Sequence, residues 1–336
     1  MRLVTYVSSF SPRPRIGVLH GAVVVDPART LRAVRRDADA AAVPTEMIAF
    51  FEGGAEARGL AQRAVDTVAA ALERGTELTA DGVSAMPSRD RVRLLAPVPR
   101  PRRIRDYLTY NDHATGSGLA VPPAFSAMPI CYKANVETVI GPEEPLLWPS
   151  YTTQLDFELE LGFFTSGGGR DLTPEQAADK IAGVTIFNDV SARDIQFFEM
   201  SLGIGPSKGK DFCTAMGPCV LTMDEVDEWS VRMSARVNGA EWASGSTADR
   251  QFSFAEVLAW ASLDEPVYPG EFLALGTVGG GCGLELDRWI RPGDVVELEA
   301  SGIGVLRNPV GEPEKAPEGA GVAAYPGAPE VRPGAH

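Results

Sequence analysis

The sequence predicts an α+β protein in which β-structure dominates. Three observations carry that expectation. Short β-branched and aromatic runs, separated by Pro and Gly, recur along most of the chain. Apolar residues at helical spacing are confined to a few segments. Strict two-residue alternation over residues 155–163 marks a strand in the middle of the chain.

Taken in order, residues 1–30 read as strands. The runs LVTYV and GVLHGAVVV are rich in Val, with His20-Gly21 as a hairpin tip. Residues 45–75 carry helical spacing at Met47, Phe50, Phe51, Leu60, Ala64, Val68 and Leu72, and stop at Gly75. Pro97-Val98-Pro99-Arg100-Pro101 is a stiff linker. It divides a small N-terminal domain (1–96) from a larger domain (97–311), which a Pro/Gly-rich tail (312–336) follows. Beyond the linker, strands and turns prevail, with helices near 174–182 and 253–261. Thr173-Pro174-Glu175-Gln176 is a helix start, with Thr as cap and Pro at the first helical position.

Composition narrows the function. A chain of 336 residues buries a sizeable core without a covalent staple. Cys131, Cys213, Cys219 and Cys282 are widely and irregularly spaced, which fits neither a disulfide framework nor a zinc ribbon. A reducing, cytoplasmic setting is expected. No uninterrupted apolar run is long enough for a membrane span, and the first residues lack a secretory pattern. The net charge of −14 argues against a nucleic-acid partner. Only five lysines occur, three of them (Lys133, Lys208, Lys210) mid-chain. Where Arg is the default cation, a retained Lys suggests that an ammonium is needed.

Four segments carry candidate chemistry. In Leu155-Asp156-Phe157-Glu158-Leu159-Glu160-Leu161-Gly162-Phe163, alternation puts the apolar side chains on one face and Glu158 with Glu160 on the other. A solvated polar face is the plain reading. Glu is nevertheless depleted in strands, and like charges on one face repel unless a cation intervenes. Gly183 to Asp194 delivers Asn188-Asp189 at the end of an apolar strand, followed by Arg193. Asp106 to His113 contains the best imidazole base, because His20 sits in the hairpin tip and His336 is the last residue. Gly205 to Thr214 is a Gly-rich loop presenting Lys210, without the spacing of a phosphate-binding P-loop. Gly276 to Gly281 precedes no helical pattern and makes no dinucleotide fingerprint. Acidic residues, one base and a Lys loop point to a hard divalent cation that polarises an oxygen-rich substrate.

Together these segments resemble the fumarylacetoacetate hydrolase family over roughly residues 95–310. LDFELELGFF, FNDVSARDIQ and GKDFCTAMGP carry the likeness. The resemblance implies a β-roll catalytic domain, a small N-terminal α/β domain, a homodimer and a divalent metal, with Mg²⁺ favoured over Mn²⁺ or Ca²⁺. Matched by position, Asp106, Glu158, Glu160 and Asp189 become the metal ligands, and His113 the base, oriented by Glu285. Lys210, Arg193 and Gln196 surround the substrate oxygens; Tyr132 and Thr277 contact substrate, and Thr214 lies near the metal. The implied reaction is hydrolysis of a carbon–carbon bond in a 1,3-diketo acid, an acylpyruvate or fumarylacetoacetate-like compound of aromatic catabolism. It would run through a metal-bound enolate and His-activated water. The alternative is an isomerase, hydratase or decarboxylase acting on a 2-oxo acid. A non-catalytic, metal-stabilised binding protein is a third class, disfavoured by the retained base, carboxylate and Lys.

Departures from the family pattern shape the pocket. Leu108 and Met200 stand where fumarylacetoacetate-cleaving members have tyrosines, and residues 114–131 contain no Arg. Gly116 stands where the smaller acylpyruvase-type members have a Glu, three residues after the histidine. The pocket is therefore expected to be more apolar and to favour an acyl chain over a small dicarboxylate.

Overall fold

A computed structural model describes residues 1–119 and 121–321. Its centre is an eleven-stranded mixed sheet. The path across it runs Val23–Val25, Ser11–His20, Arg2–Ser8, Thr214–Thr222, Ile181–Asn188, Glu158–Thr165, Phe272–Cys282, Ile104–Leu108 and Ile130–Ala134. Two short strands, Val92–Leu94 and Val139–Ile140, pair off this path. The N-terminal strands thus extend the same sheet, through Arg2 opposite Leu221 and Leu3 opposite Val220. A second sheet of five strands is built mainly from Arg232–Val237, Ala240–Ser246, Val295–Ala300 and Gly304–Pro313.

The central strands are buried on both faces; Ile181–Asn188 and Thr214–Thr222 are accordingly largely apolar, whereas Glu158–Thr165 buries two Glu side chains as well. Alternation sorts their side chains. Leu159, Leu161 and Phe163 join one core cluster with Ala235, Leu298 and Leu306 of the five-stranded sheet. Phe164, Phe187, Met216 and Phe272 join another, with Phe50, Phe51, Leu60 and Val68 of the N-terminal helices. Gly162 lies under the ring of Phe272, where a Cβ would sit 2.2 Å from Cζ. On the same strand face, Glu160 and Glu158 follow in place of further core residues, and there the sheet opens into a cleft.

Local details follow the chain. The Thr173 cap is present with its reciprocal Gln176 bond, but the helix covers only Pro174–Ala178 because Ile181 enters a central strand. The 45–75 segment is two helices, Met47–Glu52 and Gly54–Glu73, joined where Gly54 takes a left-handed φ of +52°. Helices Pro27–Ala33 and Asp37–Ala42, absent from the sequence reading, are short. The first is held by the Asp26 carboxylate on the Arg29 N–H and by Pro27 at its start. The predicted tail begins inside a strand, since Gly304–Pro313 runs through residue 312; its part from residue 322, His336 included, lies outside the described residues. No helix among the described residues is long and apolar enough to cross a membrane.

Candidate active site

Strand register builds the carboxylate cluster. Asp106 lies directly opposite Tyr132, and Glu160 directly opposite Thr277, on adjoining ladders of one sheet. Glu158 follows from the two-residue period, and its N–H donates to Asn188 Oδ1 at 3.0 Å. Asp189 leaves the end of Ile181–Asn188. Oxygens of Asp106, Glu158 and Glu160 lie within 4.8 Å of one another. All four carboxylates are buried, which removes the solvated-face reading of Glu158 and Glu160.

Two cations enter this cluster. Lys210 Nζ donates to Glu158 Oε2 at 2.7 Å and Asp189 Oδ2 at 2.5 Å. Arg193 Nη2 donates to Glu158 Oε1 at 2.7 Å. Its Nε reaches Asp156 Oδ2 at 2.8 Å, and its Nη1 reaches Gln196 Oε1 at 2.9 Å. Burial alone would raise Glu158, but Lys210 and Arg193 outweigh it and hold its carboxyl below the ordinary range. Burial would likewise depress Lys210, yet Asp189 and Glu158 keep its ammonium protonated well into the alkaline range.

The remaining carboxylates are not compensated. Burial, then Glu160 and Asp189, push Asp106 well above its ordinary range. Burial, then Glu158 and Asp189, do the same to Glu160. Asp189 is also raised, chiefly by burial, although Lys210 opposes the shift. One oxygen on each of Asp106, Glu160 and Asp189 is buried without a hydrogen-bond partner. Buried polar atoms are normally paired. Three orphaned carboxylate oxygens in an all-oxygen set fit a hard divalent cation such as Mg²⁺, Mn²⁺ or Ca²⁺.

Beside the cluster stands a histidine–carboxylate pair. His113 lies in the short helix Asn111–Gly116, and its Nδ1 is 2.8 Å from Glu285 Oε2. That partner favours the tautomer with hydrogen on Nδ1 and a free lone pair on Nε2. Nε2 lies 3.8 Å from Glu158 Oε1, on the cleft side. Glu285 is held by the Gly280 N–H at 2.9 Å and Cys282 Sγ at 3.2 Å. Gly116 makes room for it, because a Cβ there would sit 2.6 Å from Glu285 Oε1. The carboxylate missing at position 116 is thus replaced in space by one arriving from position 285.

Every residue predicted for the site except Glu285 and Thr214 lines one cleft of about 130 Å³, and Glu285 stands behind His113. Several donors face inward rather than outward. Tyr132 Oη donates to Asp189 Oδ2 at 2.6 Å, Thr277 Oγ1 to Glu160 Oε1 at 2.9 Å, and Arg193 to the acceptors above. Thr214 is buried at the head of its strand and is absent from the cleft lining. Leu108, Leu119, Phe197, Met200 and Leu284 form the apolar part of the wall. Sequence reasoning missed Asp156, although it continues the two-residue series of Glu158 and Glu160 backwards by one step. Strand pairing breaks between them, where Leu155–Asp156 pairs with Ser191–Ala192 instead.

Comparison with known proteins gives a consistent picture. Residues 102–311 match the family model described as the C-terminal domain of fumarylacetoacetate (FAA) hydrolase. A mitochondrial oxaloacetate tautomerase of Xenopus laevis is 30% identical over 315 residues, 92% of this chain and 90% of the tautomerase. The structure of a fumarylacetoacetate hydrolase from psychrophilic Exiguobacterium antarcticum superposes with a TM-score of 0.68 at 27% identity, covering 93% of this chain and 99% of the other. A maleylpyruvate hydrolase from Sphingobium sp. SYK-6, solved with manganese(II) and pyruvate, shares the fold. Its TM-score is 0.67 at 22% identity, over 94% of this chain and 100% of the hydrolase.

Proposed function

This chain belongs to the fumarylacetoacetate hydrolase family, and from that premise we propose that it moves a proton between carbon and oxygen of the enol of a small 2-oxo acid, as a tautomerase or isomerase. The observation that carries the reading is the His113–Glu285 pair set beside the carboxylate cluster, with Nδ1 tied and Nε2 toward the cleft. Asp106, Glu158, Glu160 and Asp189 would hold a divalent cation, which would supply Lewis-acid polarisation of the substrate oxygens. Lys210 neutralises Glu158 and Asp189 and keeps them fixed. Gln196 presents its amide to the cleft beside Arg193. His113 Nε2 takes a proton from one end of the enol system and returns it at the other, while Glu285 stabilises the transient imidazolium.

The apolar wall and the internal pairing of Lys210 and Arg193 support a substrate with one carboxylate and an apolar far end. A second carboxylate would find neither cation free among the described residues lining the cleft. The Xenopus relative is named for oxaloacetate, a dicarboxylate, so the proposed substrate differs from that one.

Hydrolysis of a 1,3-diketo acid is a second reading, favoured by the same pair. An imidazole backed by a carboxylate also takes a proton from water, whose hydroxide adds to a carbonyl; the carbon–carbon bond then breaks and the proton returns to carbon. One assay separates the two. Enol forms of 2-oxo acids and a set of acylpyruvates are followed with Mg²⁺ present. Faster ketonisation that is lost in His113→Ala supports proton transfer. Release of pyruvate from acylpyruvates without faster ketonisation overturns it in favour of hydrolysis.

A further inference from the structure

Hydrogen bonds around the site form a chain whose two ends, His113 Nε2 and Glu158 Oε1, face each other across a 3.8 Å gap and so complete a ring. Asp156 is fully buried and accepts from Arg193 Nε on Oδ2 at 2.8 Å. It also accepts the N–H of Gly283 on Oδ1 at 2.7 Å and that of Leu284 on Oδ2 at 3.0 Å. Those two N–H groups open the short helix Gly283–Leu286, which carries Glu285. From Glu285 the ring passes to His113 at 2.8 Å, then across 3.8 Å from Nε2 to Glu158 Oε1. Glu158 Oε1 accepts from Arg193 Nη2 at 2.7 Å, which leads back to Asp156. Gly283 permits the approach, since a Cβ there would sit 2.5 Å from Asp156 Oδ1.

We propose that Asp156 is a positioning residue that sets the distance between the His113 base and the Glu158 carboxylate arm, by holding the Glu285 turn and Arg193 with one carboxylate. The role rests on the reading of His113 as the base. Asp156 touches no substrate-facing surface, being buried and outside the cleft lining. Its two oxygens accept from donors in both halves of the ring, so it ties them together by hydrogen bonds. Neither half can then shift without the other. Small displacements of a base relative to the reacting atoms are costly to the rate while leaving binding almost untouched.

The test is Asp156→Asn, which keeps size but removes charge and one acceptor. The chain has only three histidines, so ¹⁵N-histidine NMR of the full-length protein reads the His113 tautomer directly. The expected result is a folded protein with a perturbed Nδ1 signal. kcat should fall about 10- to 100-fold, the usual scale for outer-shell groups. KM and metal affinity should change by less than about threefold, since the groups at the substrate remain. Combined with Glu285→Gln, the loss should barely exceed that of the worse single variant. Arg193→Lys opens the ring on its other side and should perturb the same histidine signal, which covers the case in which Asp156→Asn does not fold. A folded Asp156→Asn with an unchanged histidine spectrum and kcat overturns the proposal. So does additivity with Glu285→Gln, or an Arg193→Lys spectrum identical to the parent. If the histidine signal responds while no 2-oxo acid is turned over, the functional reading has failed and the positioning role stands.

Discussion

The carboxylate cluster and the His113–Glu285 arm stand side by side but are built on opposite principles. The cluster comes from strands of one sheet, where Asp106, Glu158 and Glu160 are fixed by register, and it leaves oxygens without partners. The base arm comes from two short helices, Asn111–Gly116 and Gly283–Leu286, and both Glu285 oxygens have partners. The difference teaches how to read unpaired groups. An arm that is satisfied internally is finished by folding alone. A cluster that is buried, repelled and unpaired is finished only by an added cation.

The sharpest way to break that contrast is to remove the cation or one of its ligands. Exhaustive chelation should abolish activity, and readdition of Mg²⁺ or Mn²⁺ should restore it. Glu160→Gln is the cleaner variant, because Glu160 accepts from Thr277, whereas truncating Glu158 would take from the buried Lys210 and Arg193 one of the two carboxylates that each of them holds. Metal affinity, read by calorimetry, should fall at least about 100-fold. The metal-free variant should nevertheless melt higher than the metal-free parent, since a repelled carboxylate is gone. A lower melting point would show that Glu160 is not under charge repulsion.

On the other arm, Glu285→Gln should lower kcat by about 10²- to 10⁴-fold, the range of general acid–base assistance, with metal affinity unchanged. Gly116→Ala should have a smaller effect, on the order of 10-fold, by pressing on Glu285 Oε1. Gly116 is the last residue of its helix, so the helix-interior preference for Ala does not offset the clash, and a modest fall in melting temperature should accompany the loss of activity. Steady-state kinetics beside a melting curve checks both.

The smallest effect sharpens the electrostatics. Asp106, Glu160 and Asp189 hold protons more tightly folded than unfolded. Metal-free stability is therefore full below their ordinary values of 3.8 and 4.5, and declines as pH rises through the elevated folded values. Glu158 acts oppositely, but its contribution is lost only as pH falls through its depressed folded value, below the range tested. Between pH 5 and 8 the metal-free melting temperature should drop by roughly 2–4 °C or more. Saturating divalent cation should flatten the slope, and a flat slope without metal would contradict the uncompensated cluster.

Much of the cluster was legible in the sequence because it obeys local rules. Glu158 and Glu160 announce themselves by alternation, Asp189 by ending an apolar strand, and His113 by scarcity of histidine. Glu285 is different: 172 residues separate it from His113, and only family resemblance joined them. Asp156 lay in plain view in the strongest motif, but a lone buried Asp is a common turn residue and its three backbone partners are not written locally. Helices Pro27–Ala33 and Asp37–Ala42 are too short to show periodicity, and the packing of their neighbours decides them.

The edge-on union of the first strand with the rest of the sheet has a consequence for biosynthesis. Arg2–Ser8 pairs early with Ser11–His20 and Val92–Leu94, but its link to the central strands waits until Thr214–Thr222 has left the ribosome. At roughly 5–20 residues per second, that interval is on the order of ten to forty seconds. Through it, the apolar rim formed by Leu3 and Val4 lacks its later cover, and the Phe272–Cys282 strand that flanks Glu158–Thr165 arrives later still. The nascent chain therefore carries an incomplete sheet for most of its synthesis, and chaperone demand should track elongation rate more than final stability.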